Sequence, residues 1–316
     1  PDRQKILVDG AKGEGKLTFY TSNTWMRKIA EAYGKKYPFI KVSVWRSGSK
    51  KLLKRVSEEY SARRYIADVV EASYEGIAPL HRAGVLQEHY SPEAVHYGDH
   101  VKRTGKKGIY FWADRELYIS LGFNTKIIPP DKAPKTMEDL LDPQWKGKMS
   151  ISGTNTGIRW VGILLGEMGR EYLDKLGRQQ IKTQNISGAA LAGLVVSGEV
   201  PLSPTIYNSN IFTAKKKKAP VEWRPLEPVI TSVGYSGLPG KAPNPHAALL
   251  FLDYLHSKEG ALVGIKGGLG PPRADMESSE KKFKKVYLEN KYSVEALAKN
   301  FPKWEKLMRR LFGGKR

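Results

Sequence analysis

The sequence predicts an α/β protein in which mainly parallel sheets are flanked by helices. From residue 15 onward, three units of strand, polar turn and helix follow one another, and the same pattern returns after residue 149. Parallel neighbours need such crossovers, because a short turn can join only antiparallel strands. In these sheets ligands bind at the carboxyl ends of the strands. The polar residues at those ends are therefore the first candidates for a binding site.

The first half contains three predicted strands. Residues 15–20 form a short apolar-rich segment, residues 40–45 alternate apolar and polar side chains, and residues 67–70 are mostly apolar. These patterns are typical of strands. An amphipathic helix follows the first strand and stops at Pro38, which cannot donate a backbone hydrogen bond. The strands lead into three polar segments, at residues 21–24, 46–49 and 71–74.

The second half repeats the pattern. Residues 117–124 are apolar enough for a strand buried on both faces, and residues 149–152 predict a strand that leads into a Gly- and Thr-rich turn. A strand at residues 200–203 ends before Pro204. The remaining predicted elements are helices near residues 158–165, 171–176, 188–197, 243–257 and 280–311, and an extended segment at residues 225–234.

Composition limits the possible functions. The chain contains no cysteine, which excludes disulfides, thiolate metal sites and a cysteine nucleophile. It carries 53 Lys and Arg against 32 Asp and Glu, a net charge of +21. Such an excess favours anionic partners. The one dense basic run is Lys215–Lys218 and no nucleic-acid motif is present, so we predict a solvated basic surface, no nucleic-acid partner and a field that steers a small anion.

The order of several short segments resembles the extracellular solute-binding family that includes the periplasmic ferric-iron-binding proteins. The match includes the Gly-Lys-Leu-Thr-Phe-Tyr opening and the Asp-Pro-Gln-Trp-Lys-Gly segment in the middle of the chain. The segments keep the family order and span nearly the whole sequence: residues 13–22, 37–42, 67–70, 83–86, 122–125, 133–140, 142–148, 242–248, 251–254 and 257–260.

This resemblance implies a two-lobe periplasmic-binding-protein fold of type II. The expected lobes comprise residues 1–118 with 231–282, and residues 119–230 with 283–316. Two hinge strands, near residues 118–123 and 225–234, would cross between them. Such proteins close on a ligand by hinge motion.

The resemblance also implies a function. The expected protein is the substrate-binding subunit of a bacterial ABC importer, which captures a small anionic solute in the interlobe cleft and delivers it to a membrane permease. We expect a monomer without cofactor, located in the periplasm or outside the cell. The opening Pro1-Asp2-Arg3 fits a chain that starts after signal-peptide removal.

A ferric-iron carrier is the alternative within the same family. Its relatives bind iron through a His, a Glu and two adjacent Tyr, and an oxygen-rich set suits Fe³⁺. The corresponding positions here are Thr24, Ser73 and the pair Tyr207-Asn208, so only Tyr207 is retained. We therefore predict that no metal is bound; if iron did bind, Tyr207 would be its ligand.

Neutral hydrogen-bonding side chains dominate the candidate site. The turn at residues 154–157 is expected to begin a helix, where free N–H groups and the helix dipole favour an anion. A simple helix N-cap explains the same residue types, and the alternative stays open. The full candidate set comprises Ser22, Asn23, Thr24, Ser47, Ser49, Ser73, Tyr74, Thr154, Asn155, Thr156, Gly157, Tyr207, Asn208 and Tyr235.

Other side chains receive weaker assignments. Trp25 and Trp112, with the tyrosines above, could stack on an organic ligand, but packing in the core or the hinge is the more common role of such residues. His89, His96 and His100 lie in one segment but match no metal motif, and we predict solvated loop histidines. No motif for a nucleophile elbow, a phosphate loop or a zinc protease is present. An α/β enzyme and a nucleic-acid-binding protein are therefore the less favoured alternatives.

Overall fold

The computed structural model describes residues 2–276 and 283–313. The chain forms two compact units, Pro1–Glu116 with Val233–Ser279 and Leu117–Ser232 with Glu280–Arg316. The boundaries predicted after residues 118 and 230 lie two residues from these divisions. The boundary predicted after residue 282 lies outside the described residues.

The first unit is built on a sheet whose central strands are parallel. Strand β1 pairs with β2 on one side and with β3 on the other, so that Thr21 is level with both Arg46 and Glu71. The second part of β11 pairs antiparallel with β3 and β4. The strands of this unit are β1 (Lys16–Thr21), β2 (Lys41–Arg46), β3 (Val69–Ser73), β4 (Leu86–Gln87), β5 (Lys102–Thr104), the start of β6 (Ile109–Asn124) and the end of β11 (Val229–Pro239).

Helices of the first unit include one that the sequence patterns missed. Helix α1 packs on α9 through its own C-terminal end, where the Glu14 carboxylate accepts the His246 and Ala247 N–H groups at 3.0 and 2.7 Å. Phe19, Tyr33 and Phe251 form the aromatic part of the core. The helices are α1 (Arg3–Glu14), α2 (Met26–Lys36), α3 (Ser49–Ser61), α4 (Tyr74–Arg82), α9 (Pro245–His256) and α10 (Lys258–Ile265).

The second unit contains a mixed set of strands. The end of β6 pairs antiparallel with β9 and β10, the start of β11 pairs parallel with β12, and β7 pairs parallel with β8. The core includes Leu191, Val195 and Ile206. The further elements are α5 (Asn155–Glu167), α6 (Gly169–Gly177), α7 (Gly188–Ser197), α8 (Asn208–Lys216), α11 (Leu288–Lys291), α12 (Val294–Phe312), β7 (Ser150–Ser152), β8 (Lys182–Gln184), β9 (Leu202–Tyr207), β10 (Val221–Arg224) and β12 (Lys285–Tyr287).

Two predicted strand ends were wrong. Strand β6 begins at Ile109 rather than at residue 117, and β9 continues through Pro204 to Tyr207. The pairing of β6 with β9 shifts register between Ser120 and Gly122, which is where Pro204 lies on the partner strand. A bulge tolerates proline because one ladder hydrogen bond is already lost there. Among the described residues, no helix is long and apolar enough to cross a membrane.

Candidate functional site

A buried carboxylate organises the strand ends of the first unit. Glu71, near the end of β3, is fully buried. It accepts the Ser22 N–H at 2.9 Å, the Ser22 hydroxyl at 3.3 Å and the Thr21 hydroxyl. The turn after β1 is thus held by a residue 49 positions away. Glu71 is not in the candidate set that the sequence predicted.

Arg115 provides the positive charge for this carboxylate. Its side chain is 5% exposed, and its Nη1 donates to Glu71 and, at 2.7 Å, to Asp114 Oδ1. Burial and the nearby Glu71 raise the pKa of Asp114 well above its usual range, although Arg115 opposes the shift. Burial alone would lower the pKa of Arg115, but Glu71 and Asp114 outweigh it and raise that pKa. The cluster therefore centres on a buried Arg–Glu ion pair.

The other serine hydroxyls predicted for this unit lie at the end of β3 and in the turn after β2. The Ser73 hydroxyl donates to Ser49 Oγ at 2.7 Å, which links the end of β3 to the first residue of α3. The Ser47 N–H donates to the Thr21 carbonyl at 3.1 Å, so the turn after β2 lies beside the turn after β1. Ser47, Ser49 and Ser22 are half-buried. They form the hydroxyl-bearing edge of this sheet.

Asn23 and Thr24 lie in the turn that leads into α2. Asn23 Oδ1 accepts the Trp25 N–H at 2.7 Å, so this side chain stabilises the turn. Thr24 is exposed, and the Trp25 indole donates to the Val263 carbonyl at 3.0 Å. Trp25 therefore has a structural anchor in its own unit.

The candidate aromatic residues are mostly part of the core. Trp112 is fully buried and stacks on His256, with ring centroids 3.9 Å apart, so it packs in the core, as is more common for such residues. Tyr235 is 3% exposed and packs against Tyr74 and Phe111, with its ring centroid 5.7 and 5.6 Å from theirs. Tyr74 is half-buried at the start of α4, next to the end of β3.

In the second unit, hydroxyl groups surround the start of α5. The Ser152 and Thr154 hydroxyls lie 2.8 Å apart, and Thr205 Oγ1 accepts the Ser152 N–H at 3.0 Å. Thr154 occupies the N-cap position but makes no side-chain cap hydrogen bond. The N-cap explanation of this residue therefore does not hold in its usual form. Asn155 is half-buried at the first position of the helix.

The starts of three helices meet at the Thr156 side chain. Thr156, in the first turn of α5, lies 3.2 Å from the Tyr207 hydroxyl, which belongs to the N-cap residue of α8. A Cβ atom at Gly188, the first residue of α7, would lie 3.9 Å from Thr156 Oγ1 and 3.0 Å from the Tyr207 ring. Gly157 permits close packing, since its Cβ would lie 1.9 Å from the Ser152 carbonyl oxygen. Residues at the starts of α5, α7 and α8 therefore lie beside one hydroxyl pair, and helix starts carry partial positive charge.

Asn208 and Arg159 lie close to these helix starts. Asn208 is buried, and its Oδ1 accepts the Tyr118 N–H at 3.1 Å, which anchors α8 to β6. Arg159, which the sequence analysis missed, is 6% exposed one turn after Thr156 and donates to the Ser232 hydroxyl at 2.5 Å. An arginine inside an otherwise apolar helix was the available signal.

The three histidines do not form one group. His89 is 5% exposed, so the prediction that it is a solvated loop residue was wrong. Burial lowers its pKa to about 4, and within the described structure neither ring nitrogen has a hydrogen-bond partner. His100 is exposed, and His96 Nδ1 lies 3.3 Å from Asp275. The described residues contain no cluster of three or more His, Cys, Asp or Glu that could hold a metal.

An α/β fold of two units, with two long strands passing from one into the other, is typical of bacterial binding proteins. Residues 17–269 match the family described as bacterial extracellular solute-binding protein, and the chain belongs to that family. The predicted family and the predicted α/β fold class of type II periplasmic binding proteins are both confirmed.

Individual relatives are distant in sequence. An uncharacterized protein of Haemophilus influenzae is 26% identical over 283 residues, covering 83% of this chain and 79% of its own. The structure of AfuA from Actinobacillus pleuropneumoniae with bound fructose-6-phosphate has a TM-score of 0.68 and 23% identity, covering 95% of this chain and 97% of AfuA. The structure of iron-bound HitA from Pseudomonas aeruginosa has a TM-score of 0.72 and 20% identity, covering 94% of this chain and 99% of HitA.

The family assigns the general role. The chain is the substrate-binding subunit of an ABC importer, and its partners are a solute and the membrane permease. The family consists of binding proteins rather than enzymes.

Proposed function

We propose that the solute is a small organic anion, such as a phosphate ester or a carboxylate, and that the first turn of α5 binds its charged group. The observation that carries this proposal is the convergence of the α5, α7 and α8 starts on Thr156 and Tyr207. Helix N-termini present unpaired N–H groups and partial positive charge to an anion.

The chemistry of the surrounding side chains supports an anion over a cation. The groups at this position are hydroxyls: those of Ser152, Thr154, Thr156 and Tyr207. Hydroxyls can donate to a phosphate or carboxylate without adding a competing negative charge. AfuA, which shares the fold, has been crystallised with a sugar phosphate. The net charge of +21 would also increase the encounter rate with anions.

We further propose that Ser22, Ser47, Ser49 and Ser73 of the first unit can form hydrogen bonds to a solute. The Glu71 carboxylate would not contact an anion, since Thr21, Ser22 and Arg115 already surround it. Ferric iron is less well supported, because the Glu71 carboxylate is already engaged by these three residues and is not available as a metal ligand. The protein would work in the periplasm as a monomer.

Substitution of Thr156 tests the placement of the anion. Thr156→Ala removes a hydrogen bond to a charged group and should weaken affinity about ten- to a hundredfold. Thr156→Asp should be worse because a like charge would face the ligand. Calorimetric titration would use the anion that gives the largest thermal shift in a panel of sugar phosphates and carboxylates, with their neutral counterparts as ligand controls.

Two control variants separate local from general effects. Thr156→Ser keeps the hydroxyl and should retain affinity within a fewfold. Thr104→Asp adds the same charge at an exposed position on β5 of the first unit and should leave affinity unchanged. Unchanged affinity in Thr156→Asp would contradict the placement of the anion at α5.

A further inference from the structure

Helix α12 carries a basic stripe opposite its packed face. Lys299, Lys303, Lys306 and Arg310 follow one another at intervals of four, three and four residues, and all four are exposed. This spacing places them along one side of a helix. Leu297, Trp304, Met308 and Phe312, which are all buried, occupy the opposite side, where α12 packs against α5 and α6.

Loops beside the C-terminal end of α12 carry further exposed cations. Leu311 packs on Gly177, and the Phe312 carbonyl accepts the Thr183 hydroxyl at 3.0 Å, so the end of α12 lies beside residues 177–183. The Gly147 N–H donates to the Gln179 carbonyl at 2.8 Å, which brings the next loop alongside. These segments add four exposed cations: Arg178, Lys182, Lys146 and Lys148. We call the eight residues together the basic face.

Ion pairs between described residues do not neutralise the basic face. Within the described ranges, no ion pair involves any of its eight cations. The acids of α6, Glu171 and Asp174, pair with Lys175 and Arg170, and Glu305 of α12 pairs with Arg309. Like charges at helical neighbour positions destabilise a helix, so mutual repulsion within the stripe costs some helix stability.

We propose that the basic face binds an anionic phospholipid surface. Six of its eight cations are lysines. Lysine is a strongly hydrated point charge on a flexible stem, and it is depleted from protein–protein interfaces. It suits a diffuse layer of phosphates, where each basic residue near the membrane contributes to attraction. The stripe on α12 alone is about 16 Å long at 1.5 Å per residue, long enough to contact several headgroups.

This inference gives the excess charge a function beyond solute binding. A face that adheres weakly to anionic lipid would concentrate the binding protein at the membrane that contains its permease. The attraction acts within about 10 Å at moderate ionic strength, so it would be reversible and sensitive to salt. The proposal is independent of which solute is bound.

Vesicle co-sedimentation tests the proposal with the full chain. The protein should sediment with vesicles of equal parts phosphatidylcholine and phosphatidylglycerol, and not with pure phosphatidylcholine. The quadruple variant Lys299→Gln, Lys303→Gln, Lys306→Gln and Arg310→Gln should lower the partition constant at least tenfold, since each cation contributes a factor of up to about five at low salt. Its thermal unfolding should be unchanged or improved.

A charge-matched control distinguishes the face from the overall charge. Lys5, Lys35, Lys50 and Lys51 of the first unit are exposed and outside the basic face. Their replacement by Gln should change the partition constant less than twofold. Should the α12 variant fail to fold, replacing Lys146, Lys148, Arg178 and Lys182 by Gln provides the second test, with the same tenfold expectation.

Several results would overturn the proposal. They are absence of wild-type binding to anionic vesicles, equal binding to neutral vesicles, equal loss in the control variant, or no loss in either basic-face variant. Salt-sensitive retention of duplex DNA without vesicle binding would likewise overturn it and assign the face to nucleic acid instead.

Discussion

Replacing Arg115 by Met is expected to destabilise the first unit strongly. The guanidinium is the cation for Glu71, whose carboxylate is fully buried. Met fills a similar volume but leaves that carboxylate with only the Thr21 and Ser22 donors. Removing one partner of a buried ion pair typically costs about 3–5 kcal/mol. Because the remaining donors compensate in part, we expect a loss of about 3 kcal/mol in the free energy of unfolding.

The double variant Arg115→Met with Glu71→Gln shows whether the pair itself is responsible. Glu71→Gln removes the uncompensated charge, so the double variant should recover at least half of the lost stability. Arg170→Met is the matched control, because Arg170 forms an exposed pair with Asp174 at 2.9 Å and should lose less than about 1 kcal/mol. Urea unfolding followed by tryptophan fluorescence measures all three variants.

Gly234→Ala tests the same pair by geometry rather than by charge. A Cβ atom at Gly234 would lie 1.9 Å from Arg115 Nη1, and Glu71 and Asp114 hold that guanidinium in place. The added methyl group should therefore displace Arg115 and cost about 1–3 kcal/mol. If Arg115→Met lost less than 1 kcal/mol and Gly234→Ala were neutral, the buried pair would not be the organising element of these strand ends.

Three further changes have defined outcomes. Burial lowers the pKa of His89 to about 4 in the folded protein, so this residue destabilises the fold as pH falls from about 6.5 to 4. His89→Phe should therefore increase the free energy of unfolding, and more at pH 5 than at pH 7. The exposed His100→Gln should not, and urea titrations at both pH values measure the difference. The pKa of Asp114 is raised in the folded protein, which therefore favours the protonated carboxyl. The contribution of Asp114 to stability decreases as pH rises above about 4, and Asp114→Asn should remove this decrease. Finally, Fe³⁺ with bicarbonate or phosphate should give no charge-transfer band; a band that Tyr207→Phe abolishes would instead establish the iron alternative.

Regular periodicity made most of the fold predictable. Helix α7 has the bounds that its apolar pattern and flanking residues predict, Gly188–Ser197. The N-terminal helix α1 was missed because only Leu7 and Ala11 of its residues are buried. Its last residue, Glu14, accepts the first N–H groups of α9 more than 230 residues later in the chain. Such a long-range contact leaves no local pattern.

The candidate site was predictable only where it follows strand ends. The turn at residues 154–157 could be recognised because a strand, small polar residues and an apolar helix follow one another. The first part of β6 could not, because Asp114, Arg115 and Glu116 interrupt its apolar pattern. These charged residues are buried, and Arg115 pairs with Glu71, 44 positions away. Pairing between distant charges is a tertiary property, and local hydropathy does not reveal it.

Native mass spectrometry of gently purified protein tests the central claim most directly, because tight ligands often remain bound through purification. We predict an adduct with the mass of a small organic anion in the wild-type protein, retained in Thr156→Ser and lost in Thr156→Asp. An adduct with the mass of Fe³⁺, or an organic anion that remains bound in Thr156→Asp, would contradict the proposal that the start of α5 binds the anionic solute.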